Sequence, residues 1–175
     1  MLSPQQEPSL QEPSWTPFLL SPKGEHADPP RPILTLEGIG DRLRSAAFAE
    51  IQAREAFLWA TVQFKDAPLP LQKAWLALAS EEDKHLHWLL KRMEELKIDI
   101  KGRHVCTLLW ESFQVCKTAK EFAKYMASAE ERGRKAGERF CNDIAKIDPI
   151  SAELFGKIAK EEVAHIALAA RFFPD

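Results

Sequence analysis

The sequence predicts an all-α fold: a four-helix bundle with a short extra helix in the connection between its second and third long helices, and an extended proline-rich N-terminal arm. Three observations carry this expectation. Apolar residues recur every three or four positions over four long stretches, the period of one helix face. Pro, Gly and Asp break the pattern between those stretches. No run alternates apolar and polar residues as a half-buried strand does. A chain of 175 residues suits one domain with a sizeable core.

The elements follow in chain order. Residues 1 to about 35 hold Pro4, Pro8, Pro13, Pro17, Pro22, Pro29, Pro30 and Pro32, a density that forbids helix and weakens strand. We expect residues 1–38 to form an arm laid across the bundle through Trp15, Phe18, Leu19 and Leu20, with residues 39–175 forming the bundle. The alternative use of such a segment is as a partner-binding peptide. The first helix is predicted over about 41–65, with Leu43, Ala46, Glu50, Ala53, Phe57, Ala60 and Phe64 on one stripe. Asp66, Pro68 and Pro70 break it. The second runs over about 70–97, with Leu71, Trp75, Leu78, Glu82, His85, Leu89 and Leu96 on its stripe. Gly102 sits in the connection that follows.

Residues 105–116 read as a short apolar helix within that connection. Thr118 and Glu121 form a capping box, so the third long helix starts at about 119. Its stripe is Ala123, Met126, Glu130, Gly133, Gly137, Phe140 and Ile144. Asp148 followed by Pro149 is an N-cap with proline at the first helical position. The fourth helix then runs to about Phe172 and ends at Pro174.

Composition excludes several classes. A net charge of −2 and a pI near 6.2 indicate neither nucleic acid nor a lipid headgroup surface as partner. Cys106, Cys116 and Cys141 are unclustered, which fits a reduced cytoplasm and no cysteine-ligated iron–sulfur cluster. The N-terminus has no signal-peptide pattern, and no stretch approaches the ~20 apolar residues that span a bilayer. A cytoplasmic protein is expected.

The chemistry lies in a doubled pattern. Glu50, Glu82 and His85 recur as Glu130, Glu162 and His165, each 80 positions later. Each half reads Glu, then, 32 positions on, Glu-x-x-His. Residues i and i+3 share a helix face, and all six lie on apolar stripes. Four buried carboxylates repel unless cations neutralise them. This is the ligand set of a bundle holding two metal ions between carboxylates. The metal ligands predicted are therefore Glu50, Glu82, His85, Glu130, Glu162 and His165, for two Fe ions, two Mn ions, or one of each. Glu55, Glu81, Glu131 and Glu161 lie off the stripes and read as surface groups or as supports of the ligands. His26, His87 and His104 read as surface groups, and Met126 and Trp75 as core. Gly133 and Gly137 face inward beside Glu130; we expect close helix packing there, the other reading being a gap beside the metals. Tyr125 lies off the stripe.

These residues resemble the ferritin-like superfamily, and within it an uncharacterised bacterial family, the domain of unknown function 455. The resemblance rests on Glu50-Ile51-Gln52-Ala53-Arg54-Glu55, Glu81 to His85, Leu109-Trp110-Glu111, Glu130-Glu131-Arg132-Gly133, and Glu162 to Phe173, and it covers residues 40–173. Phe48 stands where the family often has His, and Phe172 where it has Trp. The pattern is more distantly similar to the diiron tRNA hydroxylases and rubrerythrins. The resemblance implies a ferritin-like bundle and the metal set, but no substrate.

The function expected is that of a diiron or Fe/Mn carboxylate protein acting as an oxidoreductase on O2 or peroxide and an unidentified small molecule. Its catalytic residues beyond the ligands are not assigned. With no cysteine cluster to reload the site, it needs an external electron donor. A homo-oligomer is allowed for. The alternatives are ferroxidase or iron storage, and a metal-free helical scaffold.

Overall fold

Thr35 opens the first long helix, α1 (Leu36–Gln63), from an extended backbone, its side chain accepting from Gly38 N at 3.0 Å. One free donor of the first turn is thereby satisfied. The helix thus starts at Leu36 and not at about 41. Its first five residues include an exposed Leu36 and two glycines, so they show no apolar stripe to read. Gly38 is required by proximity: a Cβ there would lie 1.8 Å from the carbonyl oxygen of Pro32. The computed structural model describes residues 11–174; Pro4 and Pro8 of the predicted arm lie outside the described residues.

The second helix, α2 (Leu69–Glu95), carries Pro70 in its first turn, where a missing N–H costs nothing. It ends two residues before the expected 97 because Lys97 takes a left-handed conformation, φ 54°. Ile98 N then donates to Met93 O and Lys97 N to Glu94 O, each at 2.9 Å. That is a Schellman motif with lysine in the usual glycine position.

The connection that follows corrects one expectation. Two short strands exist: β1 (Leu19–Leu20) pairs in parallel with β2 (His104–Val105). Two residues are too few for an alternating pattern to show. Val105 is spent on this pairing, so the short helix α3 spans only Leu108–Phe113. Buried Gln52 ties it to α1, accepting from Trp110 N at 3.0 Å and donating to Cys106 O at 3.4 Å.

Thr118 caps α4 (Ala119–Ile144), accepting from Glu121 N at 3.2 Å. Glu121 reaches back to Lys117 N at 2.6 Å, so the capping box closes one residue earlier than the motif implies. Asp148 caps α5 (Pro149–Phe172), accepting from Ser151 N at 3.0 Å and from Arg92 Nη2 at 2.8 Å. That second bond places the end of α2 beside the start of α5.

Helices α1 and α2 pack closely as one hairpin, and α4 and α5 as another. The connection between the hairpins carries the chain back along the bundle, so α1 runs parallel to α5 and opposite to α4. One end of the bundle is filled by Trp59, Phe64, Trp75, Phe113 and Phe122, whose ring centroids lie 5.1 to 6.2 Å apart in contacting pairs. Such edge-on and tilted contacts make a solid core.

The arm is laid over α1, as its apolar residues predict. Trp15 and Phe18 are buried against Phe48, at 5.6 and 5.0 Å, while Leu19 is 40 % exposed. Asp41 fastens it. This buried carboxylate accepts from Arg31 N, Nε and Nη2 at 3.0, 2.9 and 2.7 Å. It also accepts from Arg44 Nη1 at 3.1 Å and Arg103 Nη1 at 2.7 Å. Arm, first helix and connection thus meet at one carboxylate. No helix among the described residues is long and apolar enough to cross a membrane.

Candidate metal centre

Each hairpin contributes three of the six predicted residues at mid-helix. Glu50 comes from α1, Glu82 and His85 from α2, Glu130 from α4, and Glu162 and His165 from α5. All six converge. Glu82, His85, Glu162 and His165 are buried, and Glu50 and Glu130 are partly so. The side chains assemble as two overlapping groups, Glu50–Glu82–His85–Glu162 and Glu82–Glu130–Glu162–His165. Within each group the ligand atoms lie within 4.8 Å of one another. Glu82 and Glu162 belong to both, which puts them between two candidate ion positions.

Both imidazoles face inward through Nδ1. His85 Nδ1 lies 3.4 Å from Glu162 Oε1, 3.5 Å from Glu82 Oε2 and 3.8 Å from Glu50 Oε2. His165 Nδ1 lies 2.9 Å from Glu82 Oε1 and 3.3 Å from Glu162 Oε2. The rings are nearly stacked, with centroids 5.8 Å apart.

Six buried side-chain N or O atoms among the described residues lack a well-aligned hydrogen bond, and five belong here: Glu82 Oε1, His85 Nδ1, Glu130 Oε1, Glu162 Oε2 and His165 Nδ1, although the first and last of these lie 2.9 Å apart. Protein interiors rarely leave such atoms unsatisfied. Five at one spot, all electron-pair donors once deprotonated, fit a cation.

Electrostatics agree. Burial, then repulsion by Glu82, pushes the Glu50 carboxyl well above its usual range. Burial, then Glu82 and Glu162, does the same to Glu130. Burial works against charge on Glu82 too, but the two imidazoles outweigh it and hold that carboxyl down to about 2. For the histidines burial opposes protonation, and the carboxylates around them overcome it. His85 is pushed up to about 12 and His165 to about 10. Without a cation, the cluster balances itself with protons.

The outer edge of His85 shows what the stripes could not. Its Nε2 pairs with Glu161 Oε2 at 2.8 Å, and Lys84 Nζ holds Glu161 at 2.7 Å and Glu81 at 2.6 Å. Glu161 thereby fixes the ring so that Nδ1 faces the cluster. Among the described residues the outer nitrogen of His165 has no such partner; Ala164 stands where the first half has Lys84, and Glu81 pairs with Lys84. The only hint in the sequence was the adjacency of Glu161 to Glu162.

A cavity of about 350 Å³ opens beside the four carboxylates, between α1 and α4 with α5 as its floor. It corrects the packing expectation for Gly133. A Cβ there would meet nothing within 4 Å, whereas one at Gly137 would touch Phe155 O at 3.4 Å and Ala159 Cβ at 3.6 Å. Gly137 is thus a packing glycine that also lines the cavity, and Gly133 is open to it. The other residues lie as expected. His26, His87 and His104 are exposed, Glu55 pairs with Arg54, and Glu131 pairs with Arg134. Tyr125 packs against the core, with Met126 and Trp75 inside it.

Residues 5–175 match the family described as Protein of unknown function (DUF455). The chain belongs to this family. The DUF455 match takes in the arm, which the motif resemblance over 40–173 did not. No curated protein and no solved structure matches this DUF455 chain.

Proposed function

We propose that this protein is a dinuclear-metal carboxylate oxidoreductase, holding two ions of iron, manganese or one of each and reacting with O2 or peroxide. The observation that supports it is the set of five inward donor atoms without a well-aligned hydrogen bond in the two overlapping groups. In this reading Glu82 and Glu162, which belong to both groups, would help hold both ions, with Glu50 and His85 at one position and Glu130 and His165 at the other. Carboxylate and imidazole ligands suit iron and manganese. When bound, two such ions supply a two-electron change and a place for O2 or peroxide. The protein's own part is to orient His85 through Glu161, to keep bulk water from the buried carboxylates, and to offer an apolar chamber beside them. Electrons come from an external donor, since the three cysteines, all free, are scattered. A cytoplasmic location goes with this reading, supported by an odd, scattered set of three cysteines.

Anaerobic reconstitution with Fe(II) tests it. About two iron ions per chain are expected. Glu82→Ala or His165→Ala loses at least one, and Glu131→Ala keeps both. Mixing the loaded protein with O2 should oxidise it faster than free Fe(II), with turnover on adding a reductant. Iron accumulating far beyond two per chain would replace this reading with storage, and no retained metal would leave a helical scaffold.

A further inference from the structure

The cavity beside the carboxylates has two unlike ends. Its inner end is acidic, formed by Glu50, Glu82, Glu130 and Glu162. Its walls are apolar, with Ala46, Ala49, Gly133, Phe140, Phe155 and Ile158 among them. At the outer end stand Pro30 of the arm and Arg42. Arg42 lies eight residues before Glu50 on the same helix, about 12 Å along the axis at 1.5 Å per residue.

Arg44, Arg92, Arg103 and Arg134 each meet a carboxylate. Arg134 also lines the cavity, but Glu131 and Glu138 hold it at 2.7 and 2.6 Å. Arg42 has no carboxylate within ion-pair distance among the described residues. Its Nη1 donates to the carbonyl oxygens of Arg31 and Gly38, both at 2.8 Å, while its Nε is buried without a partner. The guanidinium lies against the Phe140 ring, 5.5 Å from the centroid. The Nε edge of an arginine is a planar fork that matches a carboxylate.

We propose that this cavity binds an elongated apolar molecule ending in a carboxylate, with the anion on Arg42 and the chain running toward the acidic cluster. Calling that molecule the substrate rests on the proposed function; its binding rests only on the cavity and Arg42. Arg42 sets the direction, because an anion seated on it at the outer end leaves the apolar chain to run inward along the apolar walls. The apolar far end of the chain then lies nearest the candidate ion positions, and the acid group stays farthest from them. The volume falls in the range of small-molecule sites, about 300–1,000 Å³.

Calorimetry with decanoate and 1-decanol on the metal-loaded full chain, and on the same chain stripped of metal, tests the proposal. Decanoate should bind about tenfold or more tighter than 1-decanol, the worth of a charged hydrogen bond. Arg42→Gln should remove that preference and leave 1-decanol binding and metal content as they were. Arg42→Lys should keep part of it, which separates lost charge from lost folding. Gly133→Leu should weaken both ligands by filling the chamber. Equal binding of acid and alcohol, no effect of Arg42→Gln, or decanoate binding that depends on metal alone would each overturn the proposal. Decanoate binding by a chain that never retains metal would sink the oxidoreductase and leave this site standing. Two metals with no decanoate binding would do the reverse.

Discussion

Asp41 shows how one ionisation holds distant segments together. Burial pushes its carboxyl up, but hydrogen bonds from Arg31 and the charge of Arg103 outweigh this and hold it well below the usual carboxylate range. A pKa depressed in the folded state contributes stability that is fully present above the unfolded value, about 3.9, and is lost as pH falls through the folded one. Asp41→Asn is expected to cost about 3 kcal/mol near neutrality, because it leaves buried Arg44 facing a neutral amide. Thermal melts from pH 7 down to pH 3 check this: the gap between wild type and variant should narrow only below about pH 4. The six clustered residues were legible because equal spacing and apolar stripes both marked them. Which carboxylates belong to both groups was not, since that depends on how four helices face one another. Arg42 was hidden for a different reason. An arginine in the second turn of a helix reads as surface until a cavity is found beside it.

Among the elements, the start of α1 is the least legible and the most informative. The apolar period fails over Leu36–Gly40 because glycine contributes nothing to a stripe, yet Thr35 caps the turn and Pro32 presses on Gly38. Thr35→Ala should lower stability by about 1 kcal/mol, as lost N-caps do. Gly38→Ala should cost more, about 1–3 kcal/mol in the manner of overpacked sites, because the obstacle is backbone. It should also free the arm, seen as faster proteolysis before residue 35 with the bundle intact. A variant that melts like wild type and resists protease would show that the arm is not seated as described. Elsewhere boundaries followed residue chemistry closely. Thr118 and Asp148 begin their helices where their side chains predict. The parallel pairing of Leu19–Leu20 with His104–Val105 escaped because its partners lie far apart in sequence and span two residues each.

At the scale of the molecule, the candidate centre divides the bundle into a solid aromatic end and a hollow end. On the proposed reading, stripping the ions would leave buried Glu82 to be answered by the two imidazoles alone. The metal-loaded protein is therefore expected to melt higher than the metal-free one, by a margin that grows with free metal. Calorimetry on both forms checks this, and coincident transitions would speak against ions at these residues. The doubled sequence has one more consequence. Around the second glutamate the two copies differ, Asp83 and Lys84 against Val163 and Ala164. Among the described residues only His85 meets a carboxylate through its outer nitrogen, so on the proposed reading the two ion positions would differ in donor strength, and outer partners of this kind shift affinity about 10–100-fold. A titration with one metal should then show two separate steps, the tighter one lost in Glu161→Gln. Offered two metals together, such a chain would sort them, each to its own seat.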